Sequence, residues 1–200
     1  MTSNVAVASE IVNLVMRKGS AHPTDSRASY FDLYEFDDLD LSSVAGLVVT
    51  SDCDQIFLER KGDELTAFVR AGGRIAVMGH VVTEFLEGIS RWQKIQYSGP
   101  KDLEITIGEP HSVWDGVDPA DLTTRKEVSG FYARGYPQKL PDGAVVTTHI
   151  GRSRVPLDYV YPLGEGHVLV HSGNDLTGWH SDDNSASRMS PQLFDWLVQR

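Results

Sequence analysis

The chain has 200 residues, 40% of them apolar and 23% charged, with 18 Lys and Arg against 28 Asp and Glu for a net charge of −10. That length suits one domain with a substantial core. The composition excludes disorder and fibrous repeats, and the charge disfavours nucleic acid and anionic lipid as partners. A lone cysteine, Cys53, allows neither an internal disulfide nor a cysteine-rich zinc site. With no signal-like start and no apolar run of bilayer length, a cytoplasmic protein with no membrane partner is expected.

The first 30 residues are ambiguous in pattern, with a strand at 4–8 and a helix at 10–18 as candidate elements. Residues 32–64 then hold ten carboxylates against Arg60 and Lys61, so this window carries most of the net charge, and it reads as a solvated acidic face. Within it Val44–Thr50 is a short apolar, β-rich run, the pattern of a strand covered on both faces. Leu65, Phe68 and Val69 share a helical face that Gly72-Gly73 terminates, which predicts a helix over 59–71, and Arg74–Gly79 reads as a second buried strand. Strand, helix and strand in so short a stretch make a βαβ unit with parallel strands and a right-handed crossover.

Residues 81–90 look like a further short helix with Phe85 and Ile89 on one face. From residue 92 to about 165 the character turns β-rich: Trp92–Tyr97, Leu103–Ile107 and Ala144–Ile150 are short or alternating runs between Gly and Pro breaks. Val155–Tyr161, the Gly164–Gly166 turn and His167–His171 form a strand pair that can rejoin the main sheet. Ser190-Pro191 opens a closing helix with Leu193, Phe194, Leu197 and Val198 as its apolar stripe. No repeat or linker divides residues 1–200, which are taken as one domain.

The order of these pieces resembles the trehalose-utilisation (ThuA-like) family of the class I glutamine amidotransferase-like superfamily. The resemblance rests on 54–85 with its paired glycines and Gly79-His80, on Glu104–His111 leading into Val113–Val117, on Val155–His171, and on Phe194–Leu197. It implies a flavodoxin-like α/β domain: a mostly parallel sheet with helices on both faces and a β-rich insertion. It also implies a carbohydrate or similar polar small molecule as ligand, bound with or without chemistry. Two departures stand out. Gly79 and His80 are adjacent where the family has Gly-x-His, and Ser129-Gly-Phe-Tyr132 stands where an aspartate-glutamate-tyrosine stretch is expected.

Ligands of open α/β sheets bind beyond the carboxyl ends of the strands, which makes His80 the first candidate there. Glu84, four residues on, would meet it across one helical turn, so His80 and Glu84 are the expected acid–base pair if there is chemistry. Asp52 follows one strand and His171, Asn174 and Asp175 follow another, so all four are candidate ligand-binding residues, with Trp179 as an aromatic pocket rim. Asn174 and Asp175 have a plainer alternative as turn formers. Glutamine hydrolysis by the superfamily mechanism is excluded, because no cysteine occupies the turn after Ile75–Met78. Cys53, flanked by Asp52 and Asp54, reads as a spectator with a raised pKa. No cofactor motif occurs and no metal is assigned. The alternatives are a non-catalytic binding or assembly module of the same fold and, behind it, a divalent-metal hydrolase built on Asp52, His80, His171 and Asp175. Edge strands in the β-rich segment offer a route to a homo-oligomer.

Overall fold

The two apolar runs read as buried strands lie side by side in the middle of one large sheet. In the computed structural model, which describes residues 11–16 and 27–199, β1 (Ile11–Val15), β2 (Ala28–Asp32), β3 (Gly46–Val49), β4 (Arg74–Met78) and β12 (Gly166–His171) are parallel to one another. The sheet continues antiparallel through β11 (Val155–Leu163), β10 (Val145–Ile150) and β6 (Ile105–Ile107). Its spatial order is β2-β1-β3-β4-β12-β11-β10-β6. Two short ribbons lie outside it, β5 (Trp92–Lys94) with β9 (Gly135–Pro137) and β7 (Thr124–Arg125) with β8 (Val128–Ser129).

Successive strand residues point to opposite faces, and both faces are covered. Leu47, Val49, Ile75 and Val77 pack with Leu65, Phe68 and Val69 of α2 (Gly62–Arg70) and with Leu58 of α1 (Gln55–Arg60). Val48, Ala76 and Leu169 pack on the other side with Leu193, Phe194 and Leu197 of α4 (Met189–Leu197). Each such side chain contributes about 1.5–3 kcal/mol by leaving water. Burial on both faces is why β3 and β4 are continuously apolar rather than alternating. A short helix, α3 (Pro119–Thr123), contacts β6 on the antiparallel side.

Four expectations are corrected. Residues 11–15, placed in the candidate helix at 10–18, form β1, while the strand proposed at 4–8 lies outside the described residues. The helix expected over 59–71 is two helices broken at Lys61-Gly62. A Cβ at residue 62 would stand 2.7 Å from the Phe85 carbonyl oxygen, so the loop that follows β4 needs glycine there. Residues 81–90 are not helical. The Gln55 amide donates to the His80 carbonyl and accepts from the N–H groups of Val82 and Thr83 (2.8, 2.7 and 3.1 Å), tying the loop to α1, and the Val81 carbonyl accepts from the Trp92 N–H at 2.7 Å, so the two carbonyls that a first helical turn would use are taken. Finally, α4 starts before Ser190, because a 3-10 turn at Ser185–Arg188, capped by the Asn184 side chain, runs directly into it, and Ser190 is buried inside the helix.

The β10–β11 ladder is irregular at one place. The register shifts between Val146 and Thr148 and again between Thr148 and His149, so the Thr148–Asp158 pair sits between two bulges. Thr147, Thr148 and Asp158 are all fully buried. Bulges re-aim side chains at the places where a sheet carries something other than packing.

Candidate functional site

Because β2, β1, β3, β4 and β12 run the same way, the segments that follow them open at one end of the sheet. There Ser51–Cys53 follows β3, Gly79-His80 follows β4, and Ser172–Asp175 follows β12. A two-residue turn at Gly164-Glu165 fixes the β11–β12 register through Leu163↔Gly166 to Tyr159↔Val170, and its continuation sets Asp158 beside His171.

That pair is the centre of a buried polar network. His171 Nδ1 donates to Asp158 Oδ1 at 2.7 Å, and both side chains are fully buried. Asp158 Oδ2 accepts from the Tyr132 hydroxyl at 2.6 Å and from Thr148 Oγ1 at 2.5 Å, and the Tyr132 hydroxyl in turn accepts from Trp114 Nε1 at 2.9 Å. Three donors therefore neutralise the cost of burying one carboxylate. Burial and the neighbouring Asp158 charge push the Tyr132 hydroxyl well up, so it stays protonated as a donor.

The far nitrogen of the ring is different. His171 Nε2 is buried and has no hydrogen-bond partner among the described residues. It faces the turn that carries Asp175: a Cβ at Gly173 would lie 2.7 Å from Nε2 and 1.9 Å from the Tyr132 carbonyl oxygen, so only glycine fits. With Nδ1 committed to Asp158, Nε2 is the ring atom left open. Buried polar atoms are nearly always paired, so this orphan at the carboxyl end of the sheet calls for an external hydrogen-bond partner.

Around this atom the predicted residues divide. Asp175 accepts from the Ser51 N–H at 2.8 Å, and burial, ahead of the nearby Asp52 charge, raises its carboxyl pKa. Asp52 is exposed beside the Thr50 hydroxyl, 2.5 Å away. His80 lies in the same electrostatic neighbourhood: burial and the His171 ring both lower its pKa, which keeps it neutral near pH 7. Its ring stacks on Trp92 at 3.9 Å between centroids and 20° between planes. His80, Asp52, His171 and Asp175 thus gather at one end of the sheet.

Glu84 does not join them. With no helix over 81–90, it turns into a separate depression of about 610 Å³ between α2 and the 139–142 segment, so the His80–Glu84 pair is not formed. Trp179 is fully buried rather than a rim; it packs edge-on to Tyr132 and Phe131, with the Arg125 guanidinium over its ring and paired to Asp182. The aromatic beside the crevice is Trp92. Asn174 takes neither role: its side chain donates to the Phe131 carbonyl at 2.6 Å and its N–H to that of Tyr132, tying the segment after β12 to residues 131 and 132. Cys53 is buried with its thiol 3.1 Å from the Leu14 carbonyl, and burial, ahead of Asp52, pushes its pKa up to about 12. It is no nucleophile at neutral pH. Among the described residues no three His, Cys, Asp or Glu side chains converge as metal ligands, so the divalent-metal reading finds no ligand set.

Asp158, Thr148 and Ser51 are residues that the sequence reading missed, and Tyr132 and Trp114, whose rings could floor a sugar pocket, serve here as hydrogen-bond donors in the buried network. A signal for Asp158 was present: a lone carboxylate inside Val155–Leu163, placed opposite His171 by the tight turn that follows.

No protein-family model matches the chain, and no curated protein matches it in sequence. In structure it is similar to the cytoplasmic protein STM3548 from Salmonella typhimurium, with a TM-score of 0.58 and 13% identity over 86% of this chain and 82% of that one. It is also similar to the cytoplasmic protein STM1381 from Salmonella typhimurium LT2, with a TM-score of 0.55 and 11% identity over the same shares. A fainter likeness, at a TM-score of 0.47 and 16% identity, is to a β-galactosidase from Rahnella sp. R3, of which this chain spans 32%. At such identities the likeness establishes the fold class alone: an α/β protein with a large, mostly parallel sheet. Among the described residues no helix is long and apolar enough to cross a membrane.

Proposed function

We propose that the chain is a ThuA-like domain of flavodoxin-like, glutamine amidotransferase-like type that binds a carbohydrate or similar polar small molecule at the carboxyl ends of β3, β4 and β12. The strand order of its parallel half, second, first, third, fourth and then last, is the order of flavodoxin-like sheets, and in these sheets the ligand sits beyond the strand ends. The observation that carries the reading is His171 Nε2, a buried nitrogen held in place by Asp158 and without a hydrogen-bond partner among the described residues, at the end of the sheet where the segments bearing His80 and Asp175 also lie. The expected cytoplasmic location belongs to this proposal too.

Thermal unfolding of the full chain against a panel of mono- and disaccharides tests it. A ligand at 100 times its dissociation constant adds about 2.7 kcal/mol, a rise of roughly 5–10 °C for a domain of this size. His171→Gln should abolish the rise while the variant remains folded by circular dichroism. A flat response across the panel refutes the reading. Between a catalytic and a purely binding domain, the geometry favours binding: Cys53 is masked, and the Asp158–His171 pair is itself fully buried.

A further inference from the structure

Three large apolar side chains stand in solvent on the segments that follow three of the parallel strands. Tyr34, on the 3-10 turn Leu33–Asp38 after β2, is 51% exposed; Ile56, in the first turn of α1, is 64% exposed; Val82, in the loop after β4, is 62% exposed. Single exposed apolar residues are ordinary, whereas a group of them held together marks a contact surface. One helical turn holds these three. The Tyr34 ring meets that of Phe57 edge-on at 5.3 Å, and its hydroxyl donates to Asp54 Oδ2 at 3.1 Å. Asp54 in turn caps the Ile56 and Phe57 N–H groups, and the Gln55 side-chain oxygen accepts from the Val82 N–H at 2.7 Å. Leu58 is fully buried, and a separation of two residues, about 200° around a helix axis, turns Ile56 outward between the two anchored neighbours. From this arrangement we infer that the face is a docking surface for a partner protein presenting a basic amphipathic segment.

The apolar centre makes the surface, and the carboxylates around it decide the sign of the partner. Glu35 follows Tyr34, Asp54 holds its hydroxyl, and Glu59 lies one turn on from Ile56, with Asp52 exposed just ahead of the helix. Residues 32–64 hold ten carboxylates against the cations Arg60 and Lys61, and Lys61 is bound to Asp37 and Glu64. An apolar stripe flanked by lysine and arginine complements such a face in both shape and charge. A second copy of this chain is the poorer fit, because a two-fold contact sets the same patch on both subunits and brings the two acidic rims together. Because the anchors fix the three side chains in advance, little ordering is left for the moment of binding. Docking here leaves the buried Asp158–His171 pair untouched, so it is separate from the ligand site proposed above.

Fluorescence anisotropy of a labelled synthetic helix, leucine on one face and lysine on the other, titrated with the full chain tests this, beside the same peptide with glutamate for lysine. The chain variants are Ile56→Ser with Val82→Ser, and Val145→Ser as a control at an exposed position on β10. Exposed positions accept serine with little change in stability, which equal melting temperatures verify. The lysine peptide is expected to bind the parent, to bind the double variant about tenfold more weakly or worse, and to bind the control as it binds the parent. The glutamate peptide is expected to bind about tenfold more weakly than the lysine peptide, or not at all. If the double variant binds as the parent does, charge alone attracts the peptide and the docking surface falls; it falls equally if the control loses as much as the double variant. Equal binding of both peptides, or binding of neither, overturns the basic partner. A parent dimer in sedimentation equilibrium that the double variant turns into a monomer gives the face to a second copy and overturns it too.

Discussion

Asp158 shows how one residue can set the character of a sheet. A carboxylate in the interior of a strand is affordable only when every lone pair facing it is used, and here His171, Tyr132 and Thr148 use them. Tyr132→Phe should cost about 1–3 kcal/mol, because it strands the Trp114 indole N–H and removes a donor from Asp158. Urea unfolding measures this as a lowered midpoint with an unchanged slope; an unchanged midpoint would mean that the tyrosine hydroxyl is not coupled to the pair. The substitution also separates structure from ligand binding, because the imidazole keeps its Asp158 partner when the hydroxyl is gone.

At the scale of elements, the loop after β4 decides which residues meet. Gln55, one residue inside α1, makes three hydrogen bonds to residues 80, 82 and 83 and thereby aims His80 at Trp92. Gln55→Ala should speed hydrogen exchange at the Val82 and Thr83 amides by tenfold or more while leaving the β4 amides protected, a local rather than a global opening. Equal protection in the variant would show that the loop holds itself. This loop is also where sequence reasoning failed. Phe85 and Ile89 are both buried and suitably spaced, so periodicity suggests a helix. What overrides it is that the His80 and Val81 carbonyls, the acceptors of a first helical turn, are taken by the Gln55 side chain 25 residues away and by the Trp92 N–H, and the first of these is a tertiary effect that no short window of sequence contains. β3, β4, β12 and the β11–β12 hairpin were legible because burial on two faces and a glycine turn write themselves into local pattern. Trp179 was misread for a related reason: beside Gly178 and His180 it looks like a loop aromatic, and only the packing of Tyr132 and Arg125 against it makes it core.

At the scale of the molecule, burial lowers four imidazoles among the described residues, His80, His111, His149 and His167, below their ordinary value, His111 to about 4. A group whose folded-state pKa is depressed binds fewer protons in the native chain than in the unfolded one. Its contribution is therefore present above pH 6.5 and is lost as the pH falls toward 4. The His111 share is on the order of 2–3 kcal/mol at about 1.4 kcal/mol per pKa unit. His111→Asn keeps a side-chain acceptor for the Val113 N–H and should flatten the dependence of unfolding free energy on pH between 6.5 and 4. A slope matching that of the parent chain would exclude His111 as a source of acid sensitivity.

The direct pairing of β4 with β12 joins strands about 90 residues apart in the chain, so their union closes a long loop and comes at an entropic disadvantage. His171 and Asp158 lie just at that seam, one on the last parallel strand and the other on its antiparallel neighbour. A fragment ending before residue 166 therefore lacks the imidazole and the strand that welds the two halves together. The Asp158–His171 network is thus assembled only when the circuit is completed, and any nick or truncation that keeps β12 from docking should abolish the proposed ligand binding before it dissolves the remaining secondary structure.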